Sequence, residues 1–194
     1  TTMPAAPTLP PVSSLKTLED FTKAVSTLFE PAPPLAKALF EAHEAKAFPD
    51  YLSVIDAAKD KIANMNAEEK LEVINAHPRI GQKDAKKLST FSKMEQGVTE
   101  GKKLSAEEEK VLEEFAKVNE EYEQIFGFKF IIFVNGRPKK DLLPIARQRM
   151  KNTKDQELST GIQAMLDIAK DRLKKVKISG GAPQTCSLFG CNVM

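Results

Sequence analysis

Apolar residues recur every three or four positions along most of the chain, which is the spacing of one face of an α-helix. The first run, from Leu15 to Phe29, is followed by prolines at 31, 33 and 34 that predict its end. The pattern as a whole predicts seven helices, over residues 14–29, 35–40, 51–65, 66–75, 105–126, 142–151 and 156–175.

Two of these helices begin with a capping box, in which the first side chain and the one three residues later bond each other's backbone N–H. The pairs are Asn66 with Glu69 and Ser105 with Glu108.

Residues 81–104 are polar and predict irregular structure, with at most a short helix near 84–88. Residues 128–134 (FKFIIFV) have the composition of a strand. A single strand cannot form a sheet, so we expect a buried extended link or part of a helix. The predicted fold is therefore an all-α, single-domain bundle of about seven helices with one extended segment near 128–134.

The domain limits follow from composition. Residues 1–13 are rich in proline and predict a flexible tail, residues 14–177 the helical domain, and residues 178–194 a second flexible tail. The two cysteines, Cys186 and Cys191, lie too near the end to staple the fold. With no secretory signal in the sequence, we expect an intracellular protein. We expect it in the cytoplasm or the peroxisome, although the sequence shows no C-terminal peroxisomal tripeptide.

The chemistry available to the chain is limited. A net charge of +2 is too small to indicate nucleic-acid binding. The sequence has no Cys/His cluster and no glycine-rich phosphate loop, so we predict neither a metal nor a cofactor. His77 precedes Pro78, which disfavours helical geometry and places the imidazole at a helix end. It is a candidate acid or base, with a helix-capping histidine as the equal alternative. His43 lies in a polar helical run and is expected to be solvated.

A second group of polar residues follows. Ser92, Glu95 and Gln96 are predicted to lie in one loop, where they would offer donors and acceptors suited to an amide- or urea-like ligand. Such residues are also common in ordinary turns. Arg147 and Arg149 are two positions apart on a late helix, so at most one of them faces a given pocket.

Taken in order, these residues resemble one family. The ordered elements are His77-Pro78, Ser92-x-x-Glu95-Gln96, a Phe-Gly-Phe segment at 126–128 and Arg149-x-x-Asn152. This order resembles the ureidoimidazoline decarboxylases of urate breakdown over roughly residues 15–177. The resemblance implies a carbon–carbon lyase that needs no cofactor. It would convert 2-oxo-4-hydroxy-4-carboxy-5-ureidoimidazoline (OHCU) to (S)-allantoin, the last step from urate to allantoin.

The resemblance also implies roles for particular residues. His77 would be the general acid/base, and Glu95 and Arg149 would complete the catalytic group. Substrate contacts would come from a larger set: Pro78, Ser92, Glu95, Gln96 and the backbone of Phe130, Ile131, Ile132, Phe133 and Val134. The resemblance implies a homodimer and does not imply a metal. Arg79 stands where the family often has Asp, and its charge would lower the pKa of His77 if unscreened.

The competing interpretation is a helical binding module. Residues 137–177 carry 12 basic and 5 acidic residues and could bind an acidic partner or nucleic acid. Aromatic residues are not interleaved with these charges, so we predict a solvated basic surface and no nucleic-acid partner.

The end of the chain carries a possible lipidation signal. Cys191-Asn192-Val193-Met194 has the form of a prenylation motif, and basic residues precede it. A lipid and a basic patch together would give stable membrane attachment. Asn192 is not the usual aliphatic residue, so we expect a membrane partner only if Cys191 is prenylated. An unmodified tail is the favoured alternative.

Overall fold

The computed structural model describes residues 7–82, 84–98 and 103–179. Over these residues the chain forms eight α-helices and one pair of short strands, which confirms the predicted all-α class. The helices are α1 (Leu18–Phe29), α2 (Pro33–Ala45), α3 (Tyr51–Ala63), α4 (Ala67–Asn75), α5 (Thr90–Gln96), α6 (Ala106–Phe126), α7 (Lys139–Arg149) and α8 (Lys154–Lys175). The strands are β1 (Thr8–Leu9) and β2 (Lys177–Ile178).

Side chains at the helix starts define these boundaries. Both predicted capping boxes are present, at Asn66 before α4 and at Ser105 before α6. Thr153 and Gln156 form a third box before α8. Each box satisfies backbone N–H groups that have no partner within the helix, so it stabilises the point where the helix begins.

The eighth helix, α5, is the one the sequence missed. The sequence predicts irregular structure at residues 90–96 because Phe91 and Met94 are the two large apolar residues of this short polar stretch, too few to show a helical period. Ser89 caps this helix by accepting a hydrogen bond from the backbone N–H of Ser92. Gly97 ends it with a φ of 61°, a left-handed conformation that glycine adopts at little cost.

Helix α8 lies between two hydrophobic clusters and belongs to both. One cluster joins α1, α2 and α3 to Met165, Leu166 and Ala169 of α8. The other joins α6 and α7 to Ala164 and Ile168 on another side of the same helix. The two apolar sides of α8 pack on these clusters, while its remaining side is exposed. Its side chains can therefore reach the space between the two halves of the core.

The chain between α6 and α7 is extended, as predicted. Residues 128–134 form neither helix nor strand, and Phe128, Phe130 and Ile131 are buried in the second cluster. Backbone N–H and C=O groups here are not used by a helix, so they are free to bond other groups.

The predicted N-terminal tail is shorter than expected. Leu9 and Val12 are buried in the first cluster, and the hydroxyl of Tyr51 donates to the carbonyl of Pro10 at 2.8 Å. Strand β1 pairs in parallel with β2, with Thr8 opposite Lys177 and Leu9 opposite Ile178. The apolar residues among the prolines supply this packing. Residues 1–6 and 180–194, with Cys186 and Cys191, lie outside the described residues.

His43 is also not where the sequence analysis placed it. Its side chain is buried, and its Nδ1 accepts a hydrogen bond from the backbone N–H of Phe48 at 3.1 Å. The imidazole packs against the rings of Phe21 and Phe48. The prediction of a solvated residue was wrong because the polar neighbours of His43 face outward while this side of α2 packs on α1. Across the described part of the chain, no helix is long and apolar enough to span a bilayer.

Candidate active site

A cavity of about 220 Å³ lies where α5, α8, the extended segment and the turn after α4 meet. It is lined by nearly all the residues that the sequence singled out: His77, Pro78, Ser92, Glu95, Gln96, Phe130, Ile131, Ile132, Phe133 and Val134. The fold thus gathers residues more than 50 positions apart in sequence around one space. Helix α8 adds Ile168, Asp171, Arg172 and Lys175 to the lining.

His77 follows the last turn of α4, as its position before proline predicted. Lys129 holds this turn, because its Nζ donates to the carbonyls of Asn75 and His77 at 2.6 and 3.1 Å. The imidazole is only 3% exposed, and its Nε2 has no hydrogen-bond partner among the described residues. A buried polar atom without a partner is costly, so this nitrogen is available to a ligand in the cavity.

The charge state of His77 follows from its surroundings. Burial lowers its pKa, and the positive charges of Arg172 and Lys129 lower it further against the opposing effect of Glu30, to about 3. The imidazole is therefore neutral near pH 7, with one ring nitrogen that can accept a hydrogen bond. Arg79 is not a cause of this shift: it is exposed and forms a bidentate pair with Glu123, at 2.7 and 2.6 Å.

Helix α5 presents its polar residues to the cavity on one face. Glu95 and Gln96 follow Ser92 by three and four positions, so in a helix each of them lies beside Ser92. The amide of Gln96 accepts from the backbone N–H of Gly81 at 2.9 Å and donates to the carbonyl of Arg79 at 3.2 Å. These bonds tie α5 to the turn that carries His77, while one amide hydrogen of Gln96 remains for a ligand.

Arg172 is the residue that sequence reasoning missed. The sequence places it within the basic region of residues 137–177, but it is 1% exposed. Its Nε and Nη2 bond the two oxygens of Glu95 at 2.7 and 2.9 Å, and Nη2 also lies 2.9 Å from Glu30. The spacing of α8 contains the signal: Gly161, Met165, Ile168 and Arg172 are all buried at steps of three and four residues. Arg172 therefore continues the apolar face and not the basic one.

Arg149, in contrast, does not reach the cavity. It pairs with the fully buried Glu157 at 2.8 Å and donates to the carbonyl of Ile131 at 2.9 Å. Glu157 also accepts bonds from Tyr122 and Asn152. Arg149 thus holds the extended segment from behind, while that segment forms the cavity wall. The guanidinium at the cavity belongs to Arg172.

Two arginines of the basic region, residues 137–177, are largely buried and do not contribute to its surface charge. Arg149 and Arg172 both belong to residues 137–177, and both are engaged in buried ion pairs. They are not available to a partner's surface. Within the described residues, no group of three or more His, Cys, Asp or Glu side chains is placed to hold a metal ion.

The fold and the cavity together define a class of protein. It is an all-α domain with a cavity lined by a neutral histidine, a carboxylate and a guanidinium, an arrangement suited to proton transfer on a small anionic or amide-rich molecule. A sequence profile of the OHCU decarboxylase family matches residues 15–174. The chain belongs to this family.

Curated relatives agree with this assignment. The chain is 25% identical over 155 residues to a 2-oxo-4-hydroxy-4-carboxy-5-ureidoimidazoline decarboxylase of Haloferax volcanii, covering 80% of this chain and 88% of that protein. It is 32% identical over 117 residues to the uric acid degradation bifunctional protein PucL of Bacillus subtilis, covering 60% of this chain. The match spans only 23% of the length of PucL.

Solved structures share the fold. A crystal structure of OHCU decarboxylase in the presence of (S)-allantoin matches with a TM-score of 0.55 at 27% identity, over 74% of this chain and 90% of that one. A crystal structure of (S)-allantoin synthase matches with a TM-score of 0.58 at 22% identity, over 83% of this chain and 51% of that one. The second likeness speaks to the fold alone.

Proposed function

We propose that this protein decarboxylates 2-oxo-4-hydroxy-4-carboxy-5-ureidoimidazoline to (S)-allantoin, with His77 as the general acid/base. One observation carries the proposal: among the described residues, the buried Nε2 of His77 has no hydrogen-bond partner, and His77 lines one cavity with Ser92, Glu95, Gln96 and the extended segment. Membership of the OHCU decarboxylase family supports the reaction class. The related enzyme crystallised in the presence of (S)-allantoin supports the product.

The substrate's own chemistry limits what the protein must do. One ring carbon carries a hydroxyl and a carboxylate, and the adjacent imine carbon carries the ureido group. When the carboxylate leaves as carbon dioxide, its bonding electrons move into the imine, which acts as the electron sink. The imine nitrogen that receives this electron pair takes up a proton from solvent. The resulting enol loses its hydroxyl proton as it becomes a carbonyl, and the neighbouring carbon gains a proton on one face.

The cavity residues fit these steps. Neutral His77 accepts the hydroxyl proton and assists delivery of a proton to the adjacent carbon. A positioned acid/base of this kind contributes about 10²–10⁴-fold to a rate. Glu95 and Ser92 accept N–H bonds from the ureido group or the ring, and Gln96 orients the substrate.

Arg172 is the group we assign to the developing charge, in place of Arg149. It carries a positive charge at the cavity wall, where a substrate carboxylate or carbonyl can approach it. The carbonyl and N–H groups of residues 130–134 complete the contacts, and Arg149 acts on them from outside the cavity.

The first test is turnover by His77→Asn. We expect wild-type protein to accelerate the loss of the ureidoimidazoline generated from urate and to yield allantoin of a single hand by circular dichroism. The variant should keep its helical spectrum and lose at least about 100-fold in rate, the lower part of the range for such a group.

His43→Asn is the matched control. It also removes a buried imidazole, but one that lies outside the cavity. This variant should be less stable yet turn over at the wild-type rate wherever it is folded. Near-wild-type turnover by His77→Asn would contradict the role of His77, and an inactive wild type would contradict the reaction.

A further inference from the structure

Glu30 is a buried carboxylate behind the cavity that none of the steps above uses. It is 6% exposed and lies at the end of α1, where its backbone has a φ of 63° and a ψ of 163°. That combination is almost confined to glycine, and non-glycine residues hold it only where surrounding contacts require it. The contacts of the Glu30 side chain show why this backbone conformation is retained.

One oxygen of Glu30 joins three groups of the site. Its Oε1 accepts from the hydroxyls of Ser89 and Ser92, each at 2.7 Å, and lies 2.9 Å from Nη2 of Arg172. Ser89 caps α5, which carries Ser92, Glu95 and Gln96. Glu30 therefore touches the start of the helix, one of its cavity residues and the guanidinium opposite.

The direction of these bonds has a chemical consequence. Burial would raise the pKa of Glu30, but the charge of Arg172 and the two serine bonds outweigh it, so the pKa is lowered and the group is ionised. An ionised carboxylate only accepts, so the hydrogen of the Ser92 hydroxyl is committed to Glu30. Arg172 Nη2 lies 3.2 Å from the same Ser92 oxygen and donates to it. One lone pair of Ser92 is left for the cavity.

We propose that Glu30 is a positioning residue, which makes Ser92 an obligate hydrogen-bond acceptor for a substrate N–H and holds Arg172 at the cavity wall. The inference rests on the proposed function, since that substrate supplies ureido and ring N–H groups. Glu30 does not itself line the cavity and acts through Ser92 and Arg172. Without its charge, the Ser92 hydroxyl is free to turn its hydrogen into the cavity and oppose a substrate donor.

The test is a double-mutant cycle on kcat/KM between Glu30→Gln and Ser92→Ala, run on the full chain. We expect Glu30→Gln to lose about 100-fold, the scale on which small misplacements act. The double variant should be no worse than the poorer single variant, because both changes remove the same contact. If Glu30 acted only on stability, the losses in kcat/KM of the two single variants would be independent and would multiply in the double variant. Those losses would also disappear at temperatures below the melting transition.

Matched variants make the result decisive. Glu41→Gln makes the same chemical change on the exposed side of α2 and should retain wild-type kcat/KM. If Glu30→Gln does not fold, Glu30→Asp takes its place in the cycle, since it keeps the charge but draws the carboxylate back from Ser92. Multiplying losses, or a Glu30 variant within threefold of an active wild type, would overturn this inference alone. An inactive wild type would instead overturn the proposed function.

Discussion

Arg172 carries a positive charge in the protein interior, where Glu30 and Glu95 surround it. The buried Glu30, the partly buried Glu95 and the guanidinium depend on one another, because each charge is costly to remove from water without its partners. The carbonyl of Leu28 accepts a further bond from Nη1 at 3.3 Å. The same guanidinium therefore serves both the cavity and the joint between α1, α5 and α8.

We expect Arg172→Met to destabilise the protein by about 3–5 kcal/mol, because it leaves the buried charge of Glu30 without compensation and removes the partner of the partly buried Glu95. Urea denaturation measures the difference. Arg147→Met is the control, since its ion pair with Glu114 is largely exposed and should contribute about 0–1 kcal/mol. Equal losses in the two variants would show that Arg172 does not anchor this joint.

His77 makes the stability of the protein depend on pH. Its pKa is about 3 in the folded protein against the ordinary 6.5 of an exposed imidazole. Between those values the unfolded chain binds more protons, so stability falls as pH is lowered through this window and is fully present above it. From about pH 7 to about pH 5 the melting temperature of wild type should fall more than that of His77→Asn. If the melting temperatures of wild type and His77→Asn fell in parallel over this pH range, His77 would not be buried in its neutral form.

At the scale of elements, α5 is a short helix whose position decides where three cavity residues lie. Its N-terminus depends on Ser89, whose hydroxyl both caps the helix and bonds Glu30. The C-terminus is tied by Lys139, whose ammonium group donates to the carbonyl of Gln96. A helix of seven residues is not stable by itself, so it depends on contacts of this kind with the rest of the protein.

Ser89→Ala should therefore reduce both stability and turnover. Loss of a serine cap costs about 1 kcal/mol, and displacement of α5 should lower kcat/KM by up to about 100-fold. Ser105→Ala removes the same kind of cap from α6, which contributes no side chain to the cavity. It should show a similar shift in a thermal melt with unchanged turnover. Equal activity in the two variants would mean that the cap of α5 does not position the site.

At the scale of the whole molecule, α8 connects the two halves of the core and supplies the cavity with Arg172. Helix α7 and the start of α8 hold the extended segment through Arg149 and Glu157. Strand β2, which follows α8, secures the N-terminal segment through β1. Helix α8 therefore contacts both halves of the core and also lines the cavity.

The resemblance implies a homodimer, which stays a prediction. The first turn of α6 is acidic, with Glu107, Glu108 and Glu109, and the last turn of α8 is basic. Complementary charges of this kind attract at low salt and are screened as the ionic strength rises. We expect light scattering at micromolar concentration to give twice the chain mass of 21.5 kDa, with dissociation favoured by salt. A 21.5 kDa species at every salt concentration would rule the dimer out.

Much of the fold follows from local patterns in the sequence. The helical periodicity, the capping boxes at Asn66 and Ser105 and the break at 128–134 each depend on neighbours within a few residues. Helix α5 escaped because seven mostly polar residues show no periodicity, although Ser89 and Gly97 mark its two ends. Leu9 and Val12 escaped because prolines surround them, and their burial depends on α3 and α8.

For the candidate site, the sequence by itself indicated His77, the Ser92–Gln96 group and the extended segment, because each is a short local motif in a recognisable order, and the structure places them around one cavity. Only the tertiary structure decided that Arg172 and not Arg149 faces the cavity, and that Glu30 lies behind it. The reason is physical. Whether a charge is buried depends on partners from distant parts of the chain, here positions 30, 95 and 172, and their contacts exist only once the helices have packed.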